Sequence, residues 1–165
     1  MQEHSISGRI AASAAHPLAE LLDCPPETRQ LLSGAAQSIA CQPGGAIFHQ
    51  GDECRGLYVL VSGEFLRKTE RLNTRLTLGP ARAGELVELA AALGDRVHTY
   101  TLSALTPGSL LVLPMDALQQ AFDSHPPLRM RLLQELAREV SRAYMTCCLS
   151  RSIPTRRRGN AVQQA

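Results

Sequence analysis

The chain has 165 residues, 44% of them hydrophobic and 19% charged, the balance of one soluble globular domain with a single core. Aromatic residues make up 4% and Trp is absent, which argues against a stacking platform for single-stranded nucleic acid; no apolar run approaches the roughly 20 residues that span a bilayer. The net charge of +2 hides an asymmetry: Arg151, Arg156, Arg157 and Arg158 stand in residues 151–165 without an acid, so the body before them is net acidic and is not a nucleic-acid surface by charge.

Residues 1–16 are rich in Ala and Ser and read as a flexible N-terminus. They lack the basic end and apolar core of a signal peptide, which points to a cytoplasmic protein. Pro17 to Leu22 and Pro26 to Ala35 read as two short helices, the second with Leu31 and Leu32 turned inward. From Ala36 the pattern changes to strands: 37–41 and 46–49, parted by Pro43-Gly44-Gly45. Leu57 to Ser62 is nearly all apolar, as a strand buried on both faces would be, and Gly63 lets the chain turn. Glu64 to Glu70 and Thr74 to Leu78 pair as a hairpin around Arg71-Leu72-Asn73.

Gly84 to Leu93 reads as a short helix, and His98 to Leu105 alternates as a half-buried strand, with His98, Tyr100, Leu102 and Ala104 on one side. Pro107-Gly108 turns the chain into the strand 109–113, and Asp116 is placed to cap a helix over 116–123. Pro126-Pro127 opens a long helix to about Ser150, on which Leu128, Leu132, Leu136, Val140, Ala143 and Cys147 form an apolar stripe. A helix this long outruns a small roll, so part of the stripe is expected to meet a second copy over 127–148.

The organisation that follows is α+β: an antiparallel, jelly-roll-like β-roll over 17–126 with short helices before it, a long helix over 127–150, and a basic disordered tail over 151–165. The tail has no apolar periodicity and is too short for a DNA-reading module, so sequence-specific DNA binding by the chain alone is not expected. The five Cys (Cys24, Cys41, Cys54, Cys147 and Cys148) include no C-x-x-C pair, which speaks against a disulfide framework or a structural zinc site and for buried or idle thiols. There is no Gly-x-Ser-x-Gly elbow and no Cys/His signature, so the chain reads as a non-enzyme.

The stretch that carries chemistry is Gly84-Glu85-Leu86 through Arg96, His98 and Thr99. A glycine turn before a helix start offers free N–H groups to an anion, and a carboxylate beside it accepts hydrogen bonds from a hydroxyl. An Arg or protonated His folding back would complete a sugar-phosphate pocket. An ordinary helix joining two strands would show the same residues.

The order Gly-x-x-Ile-Phe-x-x-Gly-Asp (Gly44 to Asp52), Leu57 to Glu64, Leu78-Gly79-Pro80, Gly84-Glu85-Leu86 and Leu111 to Pro114 resembles the cyclic nucleotide-binding domain. Within that family it looks like the sensor half of CRP/FNR-type bacterial transcription regulators, over roughly residues 28–148. The resemblance implies a small-molecule effector, cAMP or cGMP. It also implies a ribose hydroxyl on Glu85, a cyclic phosphate on backbone N–H groups near Gly84 and Leu86, and a homodimer through the long helix. It implies an Arg for that phosphate as well. Counting back from Ala104, that position falls on His98 and the following Ser/Thr position on Thr99, whereas Arg96 lies two residues early. If His98 serves, an anion beside it raises its pKa, so binding should strengthen at mildly acidic pH. Two functions follow: a ligand-sensing regulator that signals through a partner regulator, or a ligand-free dimeric scaffold with a degenerate pocket. Neither involves a metal, a membrane or a certain cofactor.

Overall fold

A computed structural model describes residues 23–71 and 74–151. Helix α1 (Pro26–Ala35) leads into β1 (Gln37–Cys41), β2 (Ala46–Phe48), β3 (Gly56–Ser62), β4 (Glu64–Arg71), β5 (Thr74–Arg82) and β6 (Leu86–Val87). Helix α2 (Leu89–Leu93), β7 (Thr101–Ala104), β8 (Gly108–Pro114), α3 (Met115–Ser124) and α4 (Pro126–Arg151) complete the order. The expected helix over 17–22, the N-terminus and the tail beyond 151 lie outside the described residues.

The strands form two four-stranded antiparallel sheets, ordered β1-β8-β3-β6 and β2-β7-β4-β5. The sequence of β3 explains why there are two cores. Leu57 and Val59 face the helices, where Leu89, Leu118, Leu128 and Leu132 pack on them. Tyr58 and Leu60 face the second sheet and meet Phe48, Phe65, Leu102 and Leu110. A strand with apolar residues on both faces is the one that can join two cores. Gly56 opens this strand because nothing larger fits: a Cβ there would lie 2.1 Å from the Leu113 carbonyl oxygen across the ladder.

Three expectations are corrected. Gly84 to Leu93 is not one helix. Leu86 and Val87 pair with Val59 and Tyr58 as a short strand, and the helix begins only at Leu89. The strand after it begins at Thr101 rather than His98, although His98, Tyr100, Leu102 and Ala104 are all buried, as the alternation requires. Asp116 sits in the first turn of α3, whose cap position is Pro114.

On α4 the apolar stripe is buried at Leu128 and Leu132, partly buried at Leu136, and exposed by Val140. The packed face therefore ends midway along a 26-residue helix. No helix among the described residues is long and apolar enough to cross a membrane.

Candidate functional site

A cleft of about 990 Å³ separates the roll from α4. Glu85, Leu86, Thr99 and Tyr100 line it from the roll, Arg67 from β4, and Glu135, Glu139, Val140 and Arg142 from the helix. The cleft thus gathers three carboxylates and two guanidiniums over an apolar base.

Gly84 has a φ of 90°, a backbone that glycine tolerates, and it makes the tight turn that turns Glu85 toward the cleft. Two of the N–H groups at this turn are already used. Gly84 N–H donates to the Leu60 carbonyl at 2.7 Å, and Glu85 N–H donates to the Arg82 carbonyl at 3.1 Å. Both are closed by backbone bonds within the roll. The Glu85 side chain is held instead by Arg67, whose Nη2 lies 3.0 Å from Oε2 and 3.2 Å from the Pro80 carbonyl. Strand alternation places Arg67 on the same face of β4 as Phe65. Its guanidinium also sits 6.0 Å from the centre of the Tyr100 ring, and its Nε is buried without a hydrogen-bond partner.

Arg96 and His98 do not join this cleft. The backbone of 96–98 is tied to the loop before β3: Cys54 N–H donates to the Arg96 carbonyl at 2.7 Å, and His98 N–H to the Asp52 carbonyl at 2.9 Å. Those bonds hold Arg96, with φ 62°, exposed beside that loop. His98 is buried with its ring stacked on Phe48, centroids 3.8 Å apart, and lines a separate hollow of about 650 Å³ with Phe48 and Tyr58. Burial lowers its pKa, against a weaker upward pull from Asp52.

The residue that sequence reasoning missed is Glu88. It is buried, stands at the cap position of α2 with φ 67°, and accepts hydrogen bonds from Thr99. The Thr99 N–H reaches Oε1 at 3.2 Å and Oε2 at 3.4 Å, and the Thr99 hydroxyl reaches Oε1 at 3.2 Å. The Glu88 N–H donates to the Tyr100 hydroxyl at 3.2 Å, while His98 Nδ1 lies 3.7 Å from Oε2 without a hydrogen bond. Burial pushes the Glu88 carboxyl up to about 7, against the downward pull of bonds from Thr99 and Tyr100. The available signal was an acid set inside the apolar run Leu86 to Leu93. Arg67 left no signal, because nothing in the hairpin sequence says that its face meets the Gly84 turn.

On α4, Glu135 is buried and paired with Arg138 at 2.8 Å and Arg142 at 4.0 Å. Burial raises the pKa of Glu139, and Arg67 draws it back down. Cys24, Cys41 and Cys54 are buried thiols outside any disulfide, each with its pKa raised by burial.

A two-sheet roll followed by a long helix, with a polar cleft between them, is the architecture of the cyclic nucleotide-binding fold. The family model for the cyclic nucleotide-binding domain matches residues 39–125, and the chain belongs to that family. Its fold is similar to the catabolite activator protein of Thermus thermophilus, with 26% identity and a TM-score of 0.66, covering 79% of this chain and 62% of that one. It is also similar to the sensor domain of the transcriptional regulator DNR from Pseudomonas aeruginosa, with 19% identity and a TM-score of 0.66, covering 74% and 83%. The N-terminal domain of a transcriptional regulator from Streptomyces coelicolor A3(2) is 24% identical with a TM-score of 0.59, covering 78% and 90%. No curated protein matches the chain by sequence.

The residues present fit the cyclic phosphate poorly. The Gly84 and Glu85 N–H groups bond to backbone carbonyls, Arg96 and His98 lie elsewhere, and the Thr99 donors face Glu88. Glu85 remains at the cleft, positioned to accept from a ligand hydroxyl.

Proposed function

We propose that the chain is the ligand-sensing regulatory module of a CRP/FNR-type system, with its effector in the cleft and α4 as the element that reads occupancy. The observation that carries this reading is the shared cleft. Glu85, Leu86, Thr99 and Tyr100 form one wall, and Leu136, Glu139, Val140 and Ala143 of α4 form the other. A molecule seated there touches the roll and the helix together, so its differential contacts bias where the helix lies. Gly84 shapes the turn, Glu85 accepts from a hydroxyl of the effector, and Leu86 and Thr99 supply contact surface. Arg96 and His98 have no direct role.

In this reading the protein works in the cytoplasm as a homodimer through 127–148. Its signal passes to a partner regulator. Dimerisation is supported by Met130, Val140, Tyr144 and Met145, each more than half exposed on α4. The same residues favour the second reading, a ligand-free dimeric scaffold.

Calorimetric titration with cAMP, cGMP, adenosine and guanosine separates the two. Stoichiometric heat from at least one of them, lost in Glu85→Ala, is the expected result. No heat from any of the four retires the nucleotide-like effector and leaves the scaffold.

A further inference from the structure

The donors that would meet an anion at the far end of the cleft already hold an acceptor. Both the N–H and the hydroxyl of Thr99, a residue lining the cleft, donate to the Glu88 carboxyl, at 3.2 Å each to Oε1. The Glu88 side chain is completely shielded from solvent, and its backbone adopts a left-handed conformation that is strained for a non-glycine residue. The fold tolerates that strain at the residue which carries the internal carboxylate.

We propose that Glu88 acts as a built-in acceptor that satisfies the Thr99 donors in place of a ligand phosphate, so that the cleft accepts an effector without an anionic group: an uncharged or cationic molecule bearing hydroxyl or amino donors. This deepens the sensor reading and rests on the cleft being the effector site. The remaining charges agree. Glu85, Glu135 and Glu139 face the cleft against Arg67 and Arg142; Arg67 is neutralised by Glu85, and Glu135 lies against Arg142 at 4.0 Å. A phosphate entering here meets more carboxylate than uncommitted cation. Arg67 Nε, buried and unpaired, asks for an acceptor, and a carbonyl or ring nitrogen supplies one without charge.

The test uses two probes that differ by the cyclic phosphate, adenosine and cAMP, titrated into the full chain and two variants. Glu88→Gly suits the backbone at φ 67° and releases both Thr99 donors. Glu88→Gln keeps the shape and removes the charge. The wild type is expected to bind adenosine at least about tenfold more tightly than cAMP, the scale of one charge-assisted hydrogen bond. Glu88→Gly should gain about tenfold or more in cAMP affinity, and Glu88→Gln a smaller gain of the same sign. A wild type that prefers cAMP overturns the proposal, as does a cAMP affinity that neither variant raises. If the wild type binds neither probe, the sensor reading fails for nucleosides, yet a cAMP site appearing in Glu88→Gly still establishes the internal acceptor.

Discussion

Replacing Glu88 with Gln gives a measurable effect on stability whose sign and size follow from the structure. The folded carboxyl has its pKa raised from 4.5 to about 7, chiefly because ionising it inside the core loses hydration that Thr99 and Tyr100 only partly replace. An acid whose pKa is raised by folding contributes stability in full below the unfolded value and loses it as pH rises through the folded one. Between pH 5 and pH 8 the wild type should therefore lose roughly 2–3 kcal/mol from this one group. Gln does not titrate and has nearly the same shape. His98 works the other way, because its pKa is lowered in the fold and its contribution is lost as pH falls. Its Nδ1 lies 3.7 Å from Glu88 Oε2, so a His98→Gln background in both proteins removes its share of the difference. Urea unfolding followed by circular dichroism, at pH 5 and pH 8, gives that difference directly. Glu88→Gln should gain roughly 2–3 kcal/mol on the wild type between the two pH values. A difference that does not change with pH would refute the buried, ionisable Glu88.

Gly56→Ala places a Cβ 2.1 Å from a backbone carbonyl of β8 and should destabilise by at least about 1–3 kcal/mol, whereas Gly34→Ala on α1, with open space around it, should stabilise by several tenths to about 1 kcal/mol. Thermal melts of both variants check the pair, and equal effects would contradict the packing at β3–β8. Tyr144→Glu changes a side chain 68% exposed on α4 and should leave the melting temperature unchanged while weakening self-association at least about tenfold in sedimentation equilibrium. An unaltered dimer would place the interface elsewhere.

Much of the fold was legible because glycine and proline punctuate it. Pro26 opens α1, Gly63 turns β3 into β4, and the apolar run 57–62 is the strand with two buried faces. The segment 84–93 was misread because Leu, Ala and Glu favour helix locally, while the Tyr58↔Val87 and Val59↔Leu86 pairings are made with a strand distant in sequence. His98 carries a sharper lesson. The alternation that identified its neighbours as a strand also turned it inward, where it stacks on Phe48 and lines the other hollow instead of the cleft. Glu85 was found from its motif, and Arg67 was not, since their 3.0 Å contact joins positions 18 residues apart through a hairpin register that the sequence does not encode visibly.

The half-covered length of α4 ties two equilibria together. Its first turns are fixed by Leu128 and Leu132 in the core, while Val140 both lines the cleft and stands exposed on the stretch where a second copy would dock. A ligand in the cleft and a partner on the helix then act on the same few turns. Thermodynamic reciprocity requires that whatever factor the ligand adds to self-association, self-association adds to ligand affinity. If α4 pairs two copies as proposed, the concentration of the protein itself would set how sensitively the cleft responds, and two samples of identical sequence at different dilution would report different thresholds.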